Sequence, residues 1–308
     1  EGEARRGTAC APDRISTPPR WSILWCPSNP YGLMNTESRN PRSYGLDKMT
    51  AEQIVRLMNE EEYVVMQVLQ SVESDLARCA EKVAETFQSG GRIIYVGSGT
   101  SGRIAAMDAA EMPPTFGLEP GVFIALVSEG PEGVAGAPDS AEEDEHAAVV
   151  ALNQLRVDRN DIVIGLTASG RTPFAIAAVR HARQKGVWTC GIANNRNSKL
   201  LRLVDLPILL DTGPEVLTGS TRLKAGTALK LALNRISTAA MVLSGKVIEN
   251  LMVDVKPVNQ KHRERCARIV RDLTTATLDE AYDLLEKHDW NVRRVLGILR
   301  PELVASTR

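Results

Sequence analysis

The chain has 308 residues, 43% of them apolar and 24% charged, with a net charge of −1, so it can bury a large core as one big domain or two smaller ones. That balance argues against nucleic acid or an anionic membrane as the main partner, and no run reaches the roughly 18 apolar residues of a membrane span. Five scattered cysteines without a CxxC pair (Cys10, Cys26, Cys79, Cys190, Cys266) suit free thiols in a reducing compartment, and a cytoplasmic protein is expected.

Residues 1–33 carry Pro12, Pro18, Pro19, Pro27 and Pro30 and no helical or alternating period. They read as an irregular extension, with Met34 a candidate natural start. A helical segment over 34–82 follows. Thr50 and Gln53 have the spacing of a capping box ahead of a long run with apolar positions at three and four, which breaks once and ends at Gly90-Gly91.

Over 83–247 strands and helices alternate. "RIIYVG" (92–97), "VFIALVS" (122–128), "DIVIGLT" (161–167), "VWTCGIA" (187–193) and "LPILLD" (206–211) are short, β-branched and apolar on both faces. Strands of that kind with helices between them predict an α/β fold, a three-layer αβα sandwich around a parallel sheet. A helix over 220–245 closes this domain, with Gly245 as its C-cap. Residues 248–308 are expected to be helical, a small appended bundle.

Two turns carry the chemistry. "YVGSGTSGRIAA" (95–106) leaves a strand, turns through glycines and enters a helix. Gly97, Gly99 and Gly102 fit G-x-G-x-x-G, which raises a dinucleotide fold. The spacers, however, are Ser98, Thr100 and Ser101, and short hydroxyls at a helix N-terminus favour a compact phosphomonoester. "LTASGRTPFAIAA" (166–178) repeats the arrangement with Ser169, Gly170, Arg171 and Thr172, and Pro173 in the first helical turn. In a parallel sheet such turns converge on one crevice. A third element, "GPEVLTGSTRLKAGTA" (213–228), offers Glu215, Ser220, Thr221, Arg222 and Lys224; basic residues at a helix start oppose its dipole and so point to an anion.

"DAAEMPPTFG" (108–117) places Asp108 and Glu111 in an alanine-rich helix that is expected to halt at Pro113-Pro114. A solvated helix end is the ordinary reading of such a Glu. Asp108 reads as a structural hydrogen-bond acceptor.

Together these stretches resemble a known family. The two turns and the closing helix look like a sugar isomerase (SIS) domain. More narrowly, "TESRNP" (36–41), "IYVGSGTSGR" (94–103), "DAAEMPPTFG" (108–117), "ASGRTPF" (168–174), "GPEVLTGSTRLKAGTA" (213–228) and "NLMVDVKPVN" (250–259) match the N-acetylmuramic acid 6-phosphate etherase family over about residues 35–300. The resemblance implies cleavage of the D-lactyl ether of N-acetylmuramic acid 6-phosphate to N-acetylglucosamine 6-phosphate and D-lactate in cell-wall sugar recycling. It implies elimination and water addition on the open-chain sugar, with no metal or redox cofactor; the four histidines form no metal-spaced set.

The resemblance assigns the main acid–base role to Glu111. By spacing, a second acid falls on Glu142, with its neighbour Glu143 open. Substrate and phosphate contacts fall on Ser98, Thr100, Ser101, Ser169, Arg171, Thr172, Glu215, Ser220 and Lys224. It also implies a homodimer with its site near the subunit interface, and a C-terminal bundle like a small ubiquitin-associated three-helix fold. A helix end and the apolar neighbours Ala109, Ala110 and Met112 are expected to lift the Glu111 pKa toward neutral, as a group serving as both base and acid needs. The chain departs from the usual pattern at Ala110 and Met112, where Ser and Cys are common, and at Ser128-Glu129-Gly130, often Gly-Gly; Glu129 adds a carboxylate near the site. Two other readings share the same turns: a phosphosugar-sensing regulatory protein without chemistry, and a phosphosugar isomerase that spares the C3 ether.

Overall fold

The computed structural model describes residues 35–130 and 139–305. The expected irregular extension over 1–33 and the candidate start at Met34 lie outside the described residues.

The helical segment begins at Thr50, whose Oγ1 accepts the Gln53 N–H (3.3 Å) while its own N–H donates to Gln53 Oε1 (2.8 Å), so the capping box forms as its spacing suggests. Helices α1 (Ala51–Ser71) and α2 (Glu73–Gln88) meet at Val72. The sheet consists of β1 (Ile93–Gly97), β2 (Phe123–Val127), β3 (Ile162–Thr167), β4 (Trp188–Ala193) and β5 (Leu206–Leu209), all parallel, in the order β2-β1-β3-β4-β5. Helices α3 (Gly99–Phe116), α4 (Glu145–Gln154) and α5 (Pro173–Gln184) provide crossovers, and α6 (Lys224–Leu243) closes the domain. Gly245 follows α6 in the left-handed region and donates to Val242 O, which ends the helix as expected.

Alternation along the strands divides the core into two layers. Ile93, Tyr95, Ile162 and Ile164 face α2, α3 and α6, whereas Ile94, Val96 and Val163 face α4 and α5. That is the three-layer sandwich. Helix α2 runs unbroken through the 82/83 division suggested by the sequence and belongs to the first of these layers through Cys79 and Val83.

Past α6 a short antiparallel hairpin, β6 (Val247–Ile248) with β7 (Leu251–Met252), precedes α7 (Gln260–Leu273), α8 (Leu278–Lys287), α9 (Val292–Leu299) and α10 (Pro301–Ala305). These helices share a core of their own, around Cys266, Val270, Leu285 and Val295. The hairpin corrects the all-helical reading of this part: two-residue strands are too short to show a period in the sequence. Among the described residues no helix is long and apolar enough to cross a membrane.

Candidate active site

The chain runs from β1 outward to β2 and then returns to β3 on the other side, so the topology reverses between β1 and β3. Open parallel sheets bind ligands at such a switch point, outside the strand C-termini. Here β1 ends at Gly97 and β3 at Thr167, side by side, and the two hydroxyl-bearing turns leave from them. Between them lies a crevice of ≈ 350 Å³. Six of the expected contacts line it: Ser98, Thr100, Ser101, Ser169, Arg171 and Thr172. Ser98 Oγ is buried and has no hydrogen-bond partner among the described residues, which leaves a donor ready for a ligand.

The second turn is tightly organised. Thr167 Oγ1 is 2.8 Å from Thr172 Oγ1 and 3.2 Å from Ser169 Oγ, and it accepts the Gly170 N–H at 3.2 Å. Gly170 has φ +71, and a Cβ there would lie 2.3 Å from Ser198 Oγ, so only glycine fits. No side chain caps α5 at Thr172, and Pro173 occupies its first turn. Thr172 and Pro173 bring that helix start into the crevice lining beside Arg171, an arrangement suited to a phosphate.

The first turn differs. Glu129, on the loop after β2, accepts the Gly99 N–H at 2.8 Å through Oε1 and the Ser128 hydroxyl at 2.8 Å through Oε2, with Arg103 4.0 Å away. Burial works against its charged form, yet the hydrogen bonds from Ser128 and from the backbone, with the nearby Arg103, hold the carboxyl below its usual range. The leading amide of α3 thus already holds an anion, one supplied by the protein.

Glu142 and Glu143 both line the crevice from a 3₁₀ turn (Asp139–Glu143) just before α4, and both are exposed. The geometry brings the pair in together.

Two expected contacts are drawn away from the crevice. Lys224 is 3% exposed, and its ammonium is paired with the Glu61 carboxylate on α1, which also accepts from Asn40 Nδ2 (2.7 Å) and Arg42 Nη1 (2.9 Å). The anion that its position at a helix start calls for is therefore a side chain of this chain. Glu215, fully buried, accepts the N–H groups of Lys224 (3.1 Å) and Ala225 (2.9 Å) and caps α6; burial raises its pKa, partly offset by those two bonds. Ser220 is half-buried and lies outside the lining, whereas its neighbour Thr221 takes part.

Glu111 stands apart as well. Helix α3 does not halt at Pro113-Pro114; it continues to Phe116 and ends on left-handed Gly117, whose N–H donates to Pro113 O. Near the last turn the missing proline N–H groups free only the carbonyls of Ala109 and Ala110, a loss that the helix end tolerates. Glu111 is exposed, as is Ala110, while Ala109 and Met112 are buried on the other side of the helix. The apolar neighbours therefore do not enclose its carboxylate within one chain. From Ser101 to Glu111 the helix climbs about 15 Å, and Glu111 is not among the residues that line the crevice. One turn earlier, buried Asp108 accepts from Tyr95 Oη (3.0 Å), Asn234 Nδ2 (2.7 Å) and Ser237 Oγ (3.1 Å), the structural role its position suggests.

Comparison with known proteins places the chain. Residues 58–194 match the SIS domain family. The N-acetylmuramic acid 6-phosphate etherase of Oceanobacillus iheyensis is 42% identical over 264 residues, 86% of this chain and 90% of that protein. The etherase of a Geobacillus strain, WCH70, is 45% identical over 241 residues, 78% of this chain and 82% of its own. The chain belongs to the N-acetylmuramic acid 6-phosphate etherase family. Among solved structures, a phosphoheptose isomerase from Neisseria gonorrhoeae is 18% identical with a TM-score of 0.47, covering 61% of this chain and 98% of that one.

Within this family member two crevice residues escape the sequence reading. Thr167 carries a usable signal, since it is the last residue of a strand directly before the second turn. Glu37, in a 3₁₀ turn (Asn35–Glu37) well before the SIS match, lies within the matching stretch "TESRNP", which marks the segment but not its place at the crevice; contacts distant in sequence bring it there.

Proposed function

We propose that the protein cleaves the D-lactyl ether of N-acetylmuramic acid 6-phosphate to N-acetylglucosamine 6-phosphate and D-lactate, in cytoplasmic recycling of cell-wall amino sugars. The observation that carries the reading is the convergence of two hydroxyl-bearing turns on one crevice in a chain of the etherase family. The phosphate goes to the second turn, where Ser169, Thr172 and Arg171 surround the start of α5. Glu129 supports that direction: its carboxylate already holds the Gly99 amide and would repel a dianion at the first turn. The sugar then extends toward Ser98, Thr100 and Ser101.

In the open-chain aldehyde a carboxylate, Glu111, takes the C2 proton; the C3–O bond breaks and lactate leaves with its oxygen, reprotonated as it departs. Water adds across the resulting C2–C3 double bond, its hydroxyl to C3 and its proton to C2. Glu142 or Glu143 serves as the second acid. Because Glu111 lies outside the crevice of its own chain, the reading requires a homodimer in which Glu111 of one subunit completes the site of its partner. The crevice is open on its own, and Met107, Ala110 and Glu111 form one exposed face of α3. Three buried free thiols (Cys79, Cys190, Cys266) suit a reducing compartment.

The deciding assay incubates the purified protein with N-acetylmuramic acid 6-phosphate and measures D-lactate. Lactate release, lost by about 10²–10⁴-fold in Glu111→Gln, supports the etherase. Tight binding without lactate makes the protein a sensor, and a ketose product with its ether intact makes it an isomerase.

A further inference from the structure

We infer that Glu37 is a specificity-determining residue that touches the substrate, accepting hydrogen bonds from the neutral hydroxyls of the sugar; this rests on the phosphosugar reading above. The turn that carries it is held by groups that follow β3, β4 and β5. Thr36, fully buried, donates its N–H to Asn195 Oδ1 (3.3 Å) and accepts from Asn195 Nδ2 through Oγ1 (2.9 Å). The same Asn195 amide donates to Ala168 O (2.9 Å), within the second turn. Thr36 O in turn accepts the Gly219 N–H at 3.2 Å, and Asn35 Nδ2 donates to Asp211 Oδ1 at 2.8 Å. The backbone of residues 35–37 is thereby tied at once to the phosphate-facing turn and to the 211–221 loop.

The Glu37 side chain then crosses Gly219, with Oε2 only 3.1 Å from where a Cβ would lie; Gly219 has φ +76, so its missing side chain serves both the turn and the passage. The carboxylate is exposed and lines the crevice together with Thr221 and with Ser98, whose hydroxyl has no partner among the described residues. Arg171 is the one cation among the described lining residues. The Glu37 carboxylate, like those of Glu142 and Glu143 in the same lining, repels the phosphate and the lactyl carboxylate, and it attracts O–H donors. The anionic end of the ligand therefore goes to Arg171, and Glu37, fixed by its buried scaffold, takes neutral hydroxyls of the polyol. A solvated surface Glu would not need a buried scaffold of this kind.

The test titrates N-acetylglucosamine 6-phosphate and its 3-deoxy and 4-deoxy analogues into wild type, Glu37→Gln, Glu37→Ala and Ser169→Ala by calorimetry, with thermal unfolding to confirm the fold. Glu37→Ala should weaken the parent sugar about tenfold to a hundredfold, and Glu37→Gln less, as expected for a hydrogen bond to a charged group. One deoxy analogue should bind wild type more weakly by a similar factor and show no such penalty in Glu37→Ala. Undiminished binding of the parent by Glu37→Ala, with Ser169→Ala impaired, overturns the role of Glu37 and leaves the phosphosugar reading standing. A deoxy penalty equal in wild type and Glu37→Ala also overturns it, because Glu37 would then act only through the fold. Failure of wild type to bind the parent removes the phosphosugar reading, and this inference with it.

Discussion

Asp108 sits one turn from Glu111 and is held by three donors, yet burial still raises its pKa above the usual aspartate range, with the bonds from Asn234, Tyr95 and Ser237 acting against that rise. The neighbouring Tyr95 phenol is pushed up in turn, by burial first and by the Asp108 charge second. The folded chain holds the Asp108 proton more tightly than the unfolded chain does. Its contribution to stability is therefore full below the unfolded pKa of about 3.9 and is lost as pH rises through the folded value. Asp108→Asn should abolish that decline, read by urea unfolding at a series of pH values. Asp108→Ala should cost about 2–4 kcal/mol, because it strands the Tyr95 and Ser237 hydroxyls and the Asn234 amide. Glu129 has the opposite sign. Its lowered pKa gives stability above the unfolded value of about 4.3, and that stability is lost as pH falls through the folded one. Glu129→Gly should cost about 1 kcal/mol at neutral pH and, by freeing the Gly99 amide, should tighten inhibition by inorganic phosphate. An unchanged inhibition constant would mean that the carboxylate does not guard the first turn.

At the scale of elements, α1 is pinned to α6 by Lys224 and Glu61, 163 residues apart and both buried. Lys224→Met leaves the Glu61 charge with Arg42 and Asn40 alone, and a loss of about 3 kcal/mol is expected by denaturant unfolding. The double change Lys224→Met with Glu61→Met should regain most of it. A phosphate ligand in Lys224 would instead show a raised KM with stability intact. This pair also marks the limit of what the sequence reveals. The strands were legible because Ile93 to Val96 and Ile162 to Leu166 are apolar on both faces, and only a sheet covered by helices hides both. Ser98 and Ser169 were legible because hydroxyls sit at strand-to-helix turns, where local order alone sets their direction. Lys224 was not, since its position before a helix predicts an anion without saying which one. The end of α3 was misread because a proline near the last turn costs little, and Gly117, three residues on, does the capping. Glu37 reaches the crevice through the contacts of its turn with Asn195, Asp211 and Gly219, which lie far away in the sequence.

For the whole molecule, the separation of Glu111 from the crevice means that the proposed acid–base role requires a site shared between two chains. A helix is rigid, and ten residues along it cannot bring Glu111 back to the turn at its own N-terminus. Exposed Met107 shares the Glu111 face, and exposed Tyr63 and Met66 lie on α1; under the proposed dimer these are apolar surfaces available to the partner. In a symmetric dimer each crevice would meet the partner's Glu111. Mixing inactive Glu111→Gln with inactive Ser169→Ala tests this directly, after brief unfolding and refolding to exchange subunits. A mixed dimer then holds one site with both residues intact and one with both replaced. Random exchange makes half the dimers mixed, so about a quarter of wild-type D-lactate production should return. If Glu111 served the crevice of its own chain, every site in the mixture would lack one residue and none would return. Sedimentation velocity on the same samples fixes the dimer fraction, so a missing quarter cannot be ascribed to a lack of dimers.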